Sequence, residues 1–486
     1  MASPAGEVLG RREVGEDDQR SFAEMSGDHN EIHLDPLAAR RAMGGERVVH
    51  GVNTVLWAID RFLEGRSVTV TGVEATFRKP VHLGEEVELR LIEGSSDRVR
   101  LAVTRDGTRL VDIRLGVGTL AVTDAGDDRI ELDLPAVGAE LDIEEMDGLS
   151  GALPIPRADD QAAAVFPHAT TGLGAVVVAQ LAAVSRLVGM VCPGRYSMLN
   201  GFDLAFDPEG SAAHIEWRVT RADTRVSAVA LELSGGRVLG TVNAFVRPRP
   251  TLQPTMQEVS AVVAPGEFSG LRALVVGGSR GLGEVTAKVL AAGGADVVVT
   301  WVASEDDARG VVDEIAAAGG SASSARLDVE DPAEPIAALA SRGWLPDQVY
   351  FYATPPIFVR RTALFDQRLF DRFTGCYVGG FARVVEACRD SGVDELTAFY
   401  PSSVAVDEGL AGLTEYAAAK AAGEVAARIL GSSQPWLTTV VRRLPRLPTD
   451  QTATFMPVPA EDALEVMMAS VRDVTAVSGG AESHSQ

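Results

Sequence analysis

Arg272-Ala-Leu-Val-Val276 runs directly into Gly277-Gly278-Ser279-Arg280-Gly281-Leu282-Gly283 and then into Glu284-Val-Thr-Ala-Lys-Val-Leu-Ala-Ala292. The first stretch is a short, apolar, β-branched run of strand length, and the last has helix-forming composition. Glycines between them let the backbone turn sharply and approach a pyrophosphate, while the start of the helix offers free amides and a positive dipole end. Taken alone, the same turn is equally an ordinary strand-to-helix junction.

The rhythm continues outward from this turn. Strand-like runs at Asp296–Trp301, Ser323–Val329, Gln348–Ala353 and Leu396–Tyr400 alternate with helical stretches. Apolar strands alternating with helices read as a parallel sheet covered on both faces. Ser402 and Ser403 follow the strand Leu396–Tyr400, where open parallel sheets place catalytic groups. Tyr416 and Lys420 stand four apart on an alanine-rich helix and so share a face. A lysine cation there is expected to lower the tyrosine pKa, as suits a general acid for carbonyl reduction.

The glycine turn, the serines and the Tyr416-Ala-Ala-Ala-Lys420 pair together resemble the short-chain dehydrogenase/reductase family over residues 269–477, which implies a Rossmann-type doubly wound parallel sheet. By that resemblance Ser403 holds the substrate carbonyl, Tyr416 protonates it, and Lys420 binds the nicotinamide ribose. Gly277, Ser279, Arg280, Gly281, Leu282, Gly283 and Asp328 contact the cofactor. The second strand ends Thr300-Trp301-Val302 without the acid that a ribose hydroxyl wants, and Arg280 could meet a 2′-phosphate, so NADP(H) is expected rather than NAD. Three departures stand out. Phe351-Tyr352-Ala353-Thr354 replaces the usual Asn-Asn-Ala-Gly, Cys376 occupies the position of the usual catalytic asparagine, and Pro445-Arg446 follows the last strand in place of proline-glycine.

The N-terminal half has a different order. A 3.6-residue apolar period runs through Val52, Val55, Leu56, Ile59, Phe62 and Leu63, and strand-like runs follow at 67–77, 86–92, 98–104 and 110–122. The order returns at 174–190 and in the strands 199–206, 213–219, 226–233 and 238–246, with Gly72–Phe77 (GVEATF) matching Gly201–Phe206 (GFDLAF). This reads as a diverged repeat, each copy a helix wrapped by an antiparallel sheet. The expected domains are therefore 1–128, 129–250 with a degenerate second copy, a proline-containing connector 251–268, the C-terminal domain 269–477 and a frayed tail 478–486.

Near the start, Ser26-Gly27-Asp28-His29-Asn30-Glu31-Ile32-His33 lies between two helical patterns, with Asp35-Pro36 as an N-cap and first-turn proline. Asp28 and His33 would diverge on a continuous helix, so only a turn can bring them together as an acid–base pair. The same residues also suit a plain polar turn. The segment Phe22–His33 with Ala39, followed by Val49-His50-Gly51 leading into the long helix, closely resembles the signature of (R)-specific enoyl hydratases and MaoC-like dehydratases. That resemblance implies a double hot-dog fold of α+β type and makes Asp28 and His33 the catalytic pair. A free amide at Gly51 could hold the thioester oxygen as charge builds on it. Glu31 replaces the usual proline and is expected to add charge near the pocket mouth. The second copy lacks the pair, and its His168 is expected to be a turn residue.

A net charge of -24 with dispersed arginines speaks against nucleic acid as a partner. Cys192, Cys376 and Cys388 have neither metal-type spacing nor the number for a disulfide framework. No apolar run reaches membrane-spanning length and the N-terminus lacks a secretory pattern, so a cytoplasmic enzyme without bound metal, forming homo-oligomers, is expected. Joined, the two sites imply NADPH-dependent reduction of 3-oxoacyl thioesters and dehydration of the product to a 2-enoyl thioester. The substrate would be carried on acyl carrier protein or coenzyme A, in fatty-acid-like or polyketide synthesis. The alternatives are the same chemistry run oxidatively, and a non-catalytic acyl-binding protein with one inactive domain.

Overall fold

Gly72 and Gly201, the two glycines that head the matching hexapeptides, lie on neighbouring strands. A Cβ on Gly72 would stand 2.7 Å from the Leu204 carbonyl oxygen, and one on Gly201 would stand 2.6 Å from that of Ala75. Both positions therefore need glycine for the same reason, the close approach of the facing backbone. This is a computed structural model, describing residues 6–42, 44–118, 135–358, 364–410, 412–454 and 458–480. The boundary expected at 128/129, the strand end expected at Val122 and the last residues of the tail lie outside them. The chain divides into one unit up to Arg249, to which Thr454 also belongs, and a second from Pro250 onward.

The first unit holds β1 (Val8–Glu13), β2 (Thr69–Phe77), β3 (Glu86–Gly94), β4 (Arg98–Arg105), β5 (Thr108–Gly118), β6 (Ser150–Pro154), β7 (Ser197–Phe206), β8 (His214–Asp223), β9 (Ala228–Ser234) and β10 (Val238–Val246). They form one antiparallel sheet in the order β1-β3-β4-β5-β2-β7-β10-β9-β8-β6. The two copies join at β2 and β7, with Val73 opposite Leu204 and Ala75 opposite Phe202. Helix Gly51–Leu63 belongs to the first copy and Ala175–Arg186 to the second, the latter running on into a π-helical turn, Leu187–Val191. Val55, Ile59, Val178 and Leu181 are all fully buried in a single core shared by both copies. β1 and β6 were not anticipated. Each is an edge strand, and β1 buries none of its residues and β6 only Leu153, so neither carries the apolar alternation that marks a half-buried strand.

The second unit is a parallel sheet of β11 (Arg272–Val276), β12 (Asp296–Trp301), β13 (Ser321–Arg326), β14 (Gln348–Phe351), β15 (Leu396–Ser403) and β16 (Leu437–Leu444), ordered β13-β12-β11-β14-β15-β16. This is the doubly wound order, with the reversal beside β11, where such sheets bind ligands. Apolar clusters cover both faces. Within the segment 251–268, Thr255 caps a short helix, Met256–Ser260, and Met256, Val259 and Phe268 are buried with Ala273 and Val289. Among the described residues no single helix is long and apolar enough to cross a membrane.

Candidate functional site

In the first unit, helix Glu16–Ser26 stops at Gly27, which takes the left-handed conformation at φ 73° and returns its amide to Ala23. The chain then turns through Asp28, and Asn30 caps the short helix Glu31–Leu34 that carries His33. The turn predicted from sequence thus exists and brings the pair together. His33 Nε2 lies 4.0 Å from Asp28 Oδ2. His33 Nδ1 is 2.8 Å from the Val48 carbonyl, which can only accept, so Nδ1 carries the proton and Nε2 presents a lone pair. Two acceptors 4.0 Å apart cannot bond to each other, but a water between them can donate to both, and a hydroxyl can donate to one of them. Burial lowers the His33 pKa, opposed in part by Asp28, and keeps the imidazole neutral.

Three groups that the sequence reading did not assign complete the arrangement. His50 is wholly buried, with Nε2 3.0 Å from the Asp28 carbonyl oxygen and its ring stacked on His33 at 3.8 Å between centroids. Burial, and next the neighbouring His33, holds it well below the ordinary histidine range. From the second copy, Ser185 donates to Asp28 Oδ2 at 2.6 Å. Gly189, in the π-helical turn, leaves room for the same carboxylate, since a Cβ there would lie 2.4 Å from Asp28 Oδ1. Asn30 Nδ2 ties the turn to the Gly189 carbonyl at 2.8 Å. Gly189→Ala is therefore expected to displace the Asp28 carboxylate. It should lower any turnover that depends on the Asp28–His33 pair at least tenfold in a steady-state assay.

Asp28, His33, Ser185 and Gly189 line a cleft of about 860 Å³ open to solvent, whose walls include Ile32, Phe77, Val111, Met198 and Leu199. Gly51 opens helix Gly51–Leu63 at the wall, where helix geometry leaves its amide without an intrahelical partner. Glu31 does not charge the cleft as expected. Arg195 holds its carboxylate through Nε at 2.9 Å and Nη2 at 2.8 Å, and the pair lies away from the wall. His168 stands in the first turn of helix Pro167–Leu173 rather than in a free turn, its amide bonded to Asp60 Oδ1 at 2.8 Å, away from the cleft.

In the second unit the glycine turn makes a tight cradle. Gly277 has φ 76°, and a Cβ there would stand 3.0 Å from the Ala353 amide nitrogen. A Cβ on Gly283 would meet the Gly277 carbonyl oxygen at 2.3 Å. Helix Gly281–Ala292 starts at the turn, so its first amides face the end of the sheet. Arg280 lies 3.5 Å from Asp450 in an ion pair that a bound phosphate would compete for. β13 ends at Arg326, earlier than expected, which leaves Asp328 two residues beyond it with Oδ1 on the Glu330 amide. Ser279 and Leu282 belong to the same turn and helix start.

β15 sends Ser402 and Ser403 in different directions. Ser402 is buried and donates to Glu424 at 2.6 Å, whereas Ser403 is hydrogen-bonded to the Tyr416 phenol. The second serine is thus the one in the site. Tyr416 and Lys420 share a buried face of helix Thr414–Ser433. The expected lowering of the tyrosine pKa does not hold. Burial raises it, with Ser403 working against the rise, because Lys420 Nζ turns to the Pro401 carbonyl at 2.7 Å and stays 6.0 Å from the Tyr416 ring centroid. A raised phenol is protonated at neutral pH and can still donate. Burial pushes Lys420 down to about 8.

The MaoC like domain family matches residues 3–111 and the short chain dehydrogenase family matches residues 272–342. A 3-hydroxybutyryl-CoA dehydratase from Methylorubrum extorquens is 32% identical over 105 residues, 20% of this chain and 66% of that protein. A 2,5-dichloro-2,5-cyclohexadiene-1,4-diol dehydrogenase from Sphingobium indicum is 50% identical over 66 residues, 14% of this chain and 26% of that protein. Each alignment thus covers only part of the relative's own length. A Burkholderia cenocepacia short chain dehydrogenase solved in complex with NADP superposes with a TM-score of 0.36 at 25% identity, over 43% of this chain and 91% of that one. The chain therefore carries a MaoC-like dehydratase domain at its N-terminus and a short-chain dehydrogenase domain behind it.

Proposed function

We propose that the chain reduces 3-oxoacyl thioesters with NADPH in its C-terminal domain and dehydrates the resulting 3-hydroxyacyl thioesters to 2-enoyl thioesters in its N-terminal domain. The observation that carries this reading is the gap between His33 Nε2 and Asp28 Oδ2, two acceptors 4.0 Å apart at the wall of an apolar cleft beside a helix start. A 3-hydroxyl group placed there donates to one of them. The pair then moves the Cα proton to the departing hydroxyl: the Cα–H bond breaks, its electrons form the C2–C3 double bond, and the C3–O bond breaks to release water. The Gly51 amide is placed to hold the thioester oxygen as charge builds during this step.

In the C-terminal site the cradle of Gly277 and Gly283, closed to any larger residue, fits the pyrophosphate of a dinucleotide. When bound, NADPH supplies the hydride that adds to C3. Ser403 orients the substrate carbonyl, Tyr416 gives its phenolic proton to the oxygen, and Lys420 holds the ribose. The absence of an acid at Trp301, with Arg280 in the turn, supports NADP(H) over NAD. The acyl group would arrive on acyl carrier protein or coenzyme A.

The test is mass spectrometry of a panel of 3-oxoacyl thioesters incubated with the full chain and NADPH. Successive 3-hydroxyacyl and 2-enoyl products are expected. Turnover only from 2-enoyl thioester and NADP⁺ toward 3-oxoacyl product would reverse the physiological direction, and no turnover either way would leave an acyl-binding protein.

A further inference from the structure

Lys420 is buried, and its ammonium bonds to a single carbonyl, that of Pro401 at 2.7 Å. Among the described residues no carboxylate lies within ion-pair distance of it, and Glu424 acts on it only from farther away. What surrounds the charge is aromatic. Nζ stands 4.1 Å from the ring centroid of Tyr377, 5.3 Å from that of Tyr400 and 6.0 Å from that of Tyr416. An ammonium over an aromatic face is attracted by the ring quadrupole, more strongly when both are out of water. Tyr377 is the nearest of the three, and it is fully buried.

Its ring is fixed on three sides. Phe373 stacks on it at 5.7 Å with planes 5° apart, Tyr416 meets it edge-on at 5.9 Å, and its hydroxyl lies 2.6 Å from Thr354 Oγ1. The neighbouring Cys376 directs its thiol to the Ala353 carbonyl at 3.4 Å, and burial pushes that thiol up to about 11, so it is a neutral donor. Both residues belong to a π-helical turn, Gly375–Gly380, a local widening that re-aims side chains. The altered segment Phe351–Thr354 is therefore bonded to the π-helical turn at two points, Ala353 to Cys376 at the altered asparagine position and Thr354 to the neighbouring Tyr377.

We propose that Tyr377 is the positioning residue for Lys420, its ring face holding the buried ammonium in place, with Thr354 and Cys376 fixing that ring. The two departures from the family pattern are then parts of one arrangement around Lys420. The hold on the lysine stands by itself, and its consequence for reduction rests on the function proposed above.

The sequence has three lysines, Lys79, Lys288 and Lys420, so lysine labelled with ¹³C at Cε gives three resonances in the full chain. Lys420→Arg identifies the one of interest. In the wild type and in Tyr377→Phe, the Lys420 resonance is expected to be displaced upfield by the ring current. Burial should make it titrate below the ordinary lysine range, with Cys376 and Glu424 working against the fall; Tyr400 and Tyr416 are the other titratable groups facing it. Tyr377→Leu should lose most of the displacement and lower the proton affinity of Lys420 roughly tenfold. Pentafluorophenylalanine at position 377 keeps the shape of Phe and inverts the charge on its face, so it serves even if the leucine variant fails to fold. Equal Lys420 titrations in the Phe and pentafluorophenylalanine proteins would overturn the proposal. Reduction assays add a separate readout: the pH profile for NADPH oxidation should shift with the lysine. A wild type inactive with NADPH defeats the reductase reading alone, because the resonance still decides whether Tyr377 holds Lys420.

Discussion

Asp28→Asn and His33→Ala are each expected to remove most interconversion of 3-hydroxyacyl and 2-enoyl thioesters, by on the order of 10²- to 10⁴-fold, while leaving NADPH oxidation with a 3-oxoacyl substrate unchanged. The asparagine keeps the shape of the side chain but replaces one acceptor oxygen by an NH₂ group. The Asn30 amide, at 3.1 Å, keeps the oxygen on its side, so the new NH₂ group faces Ser185, whose hydroxyl can turn to accept, and takes the place of Oδ2, the acceptor opposite His33. His33→Ala removes the lone pair while sparing the fold. The Val48 carbonyl keeps its second donor, Gln19 Nε2, at 2.8 Å. In both variants 3-hydroxyacyl thioester should accumulate from a 3-oxoacyl substrate, as mass spectrometry would register. His168→Ala is the control. If that substitution, and not His33→Ala, stopped dehydration, the chemistry would belong to the second copy and not to the Asp28 turn.

Tyr416→Phe should lower NADPH-dependent reduction by at least about 10² while leaving hydration of a 2-enoyl thioester at wild-type rate. The substitution deletes only the phenolic oxygen and its hydrogen bond from Ser403. The ring contacts with Phe373 at 5.8 Å and Tyr377 at 5.9 Å remain, so the thermal midpoint should barely move. Undiminished reduction in a folded Tyr416→Phe protein would remove the phenol from the mechanism. In the same assay a higher kcat/KM with NADH than with NADPH would set aside the roles given to Arg280 and Trp301.

The comparison of sequence and structure separates along a physical line. Helix Gly51–Leu63 was legible because one chain segment packs its own periodic face, and β10 was legible to the residue because both of its faces carry a clear alternation. The edge strands β1 and β6 were not, since β1 buries none of its residues and β6 only Leu153, so neither has a buried face to pattern. Ser402 and Ser403 could be named together but not told apart by environment, because successive side chains on a strand point to opposite sides and only the packing decides which side holds the site. Tyr416 shows the limit for electrostatics. Its spacing from Lys420 was readable, whereas the direction of its pKa shift depended on burial and on where the ammonium turned.

By itself, then, the sequence determined the two fold classes, the duplicated N-terminal unit, the glycine cradle and the turn that brings Asp28 and His33 together. The cradle and the turn rest on residues close together in the chain, whose spacing local geometry converts directly into a shape, and the duplication rests on a pattern that recurs along it. Tertiary structure alone decided that the copy without its own pair completes the site of the other. Ser185 lies 157 residues from the carboxylate it supports, within a buried helix whose pattern announces only packing. It decided likewise that Tyr377, Thr354 and Lys420 meet. Contacts of this kind are set by how separate elements pack, and no local spacing encodes them.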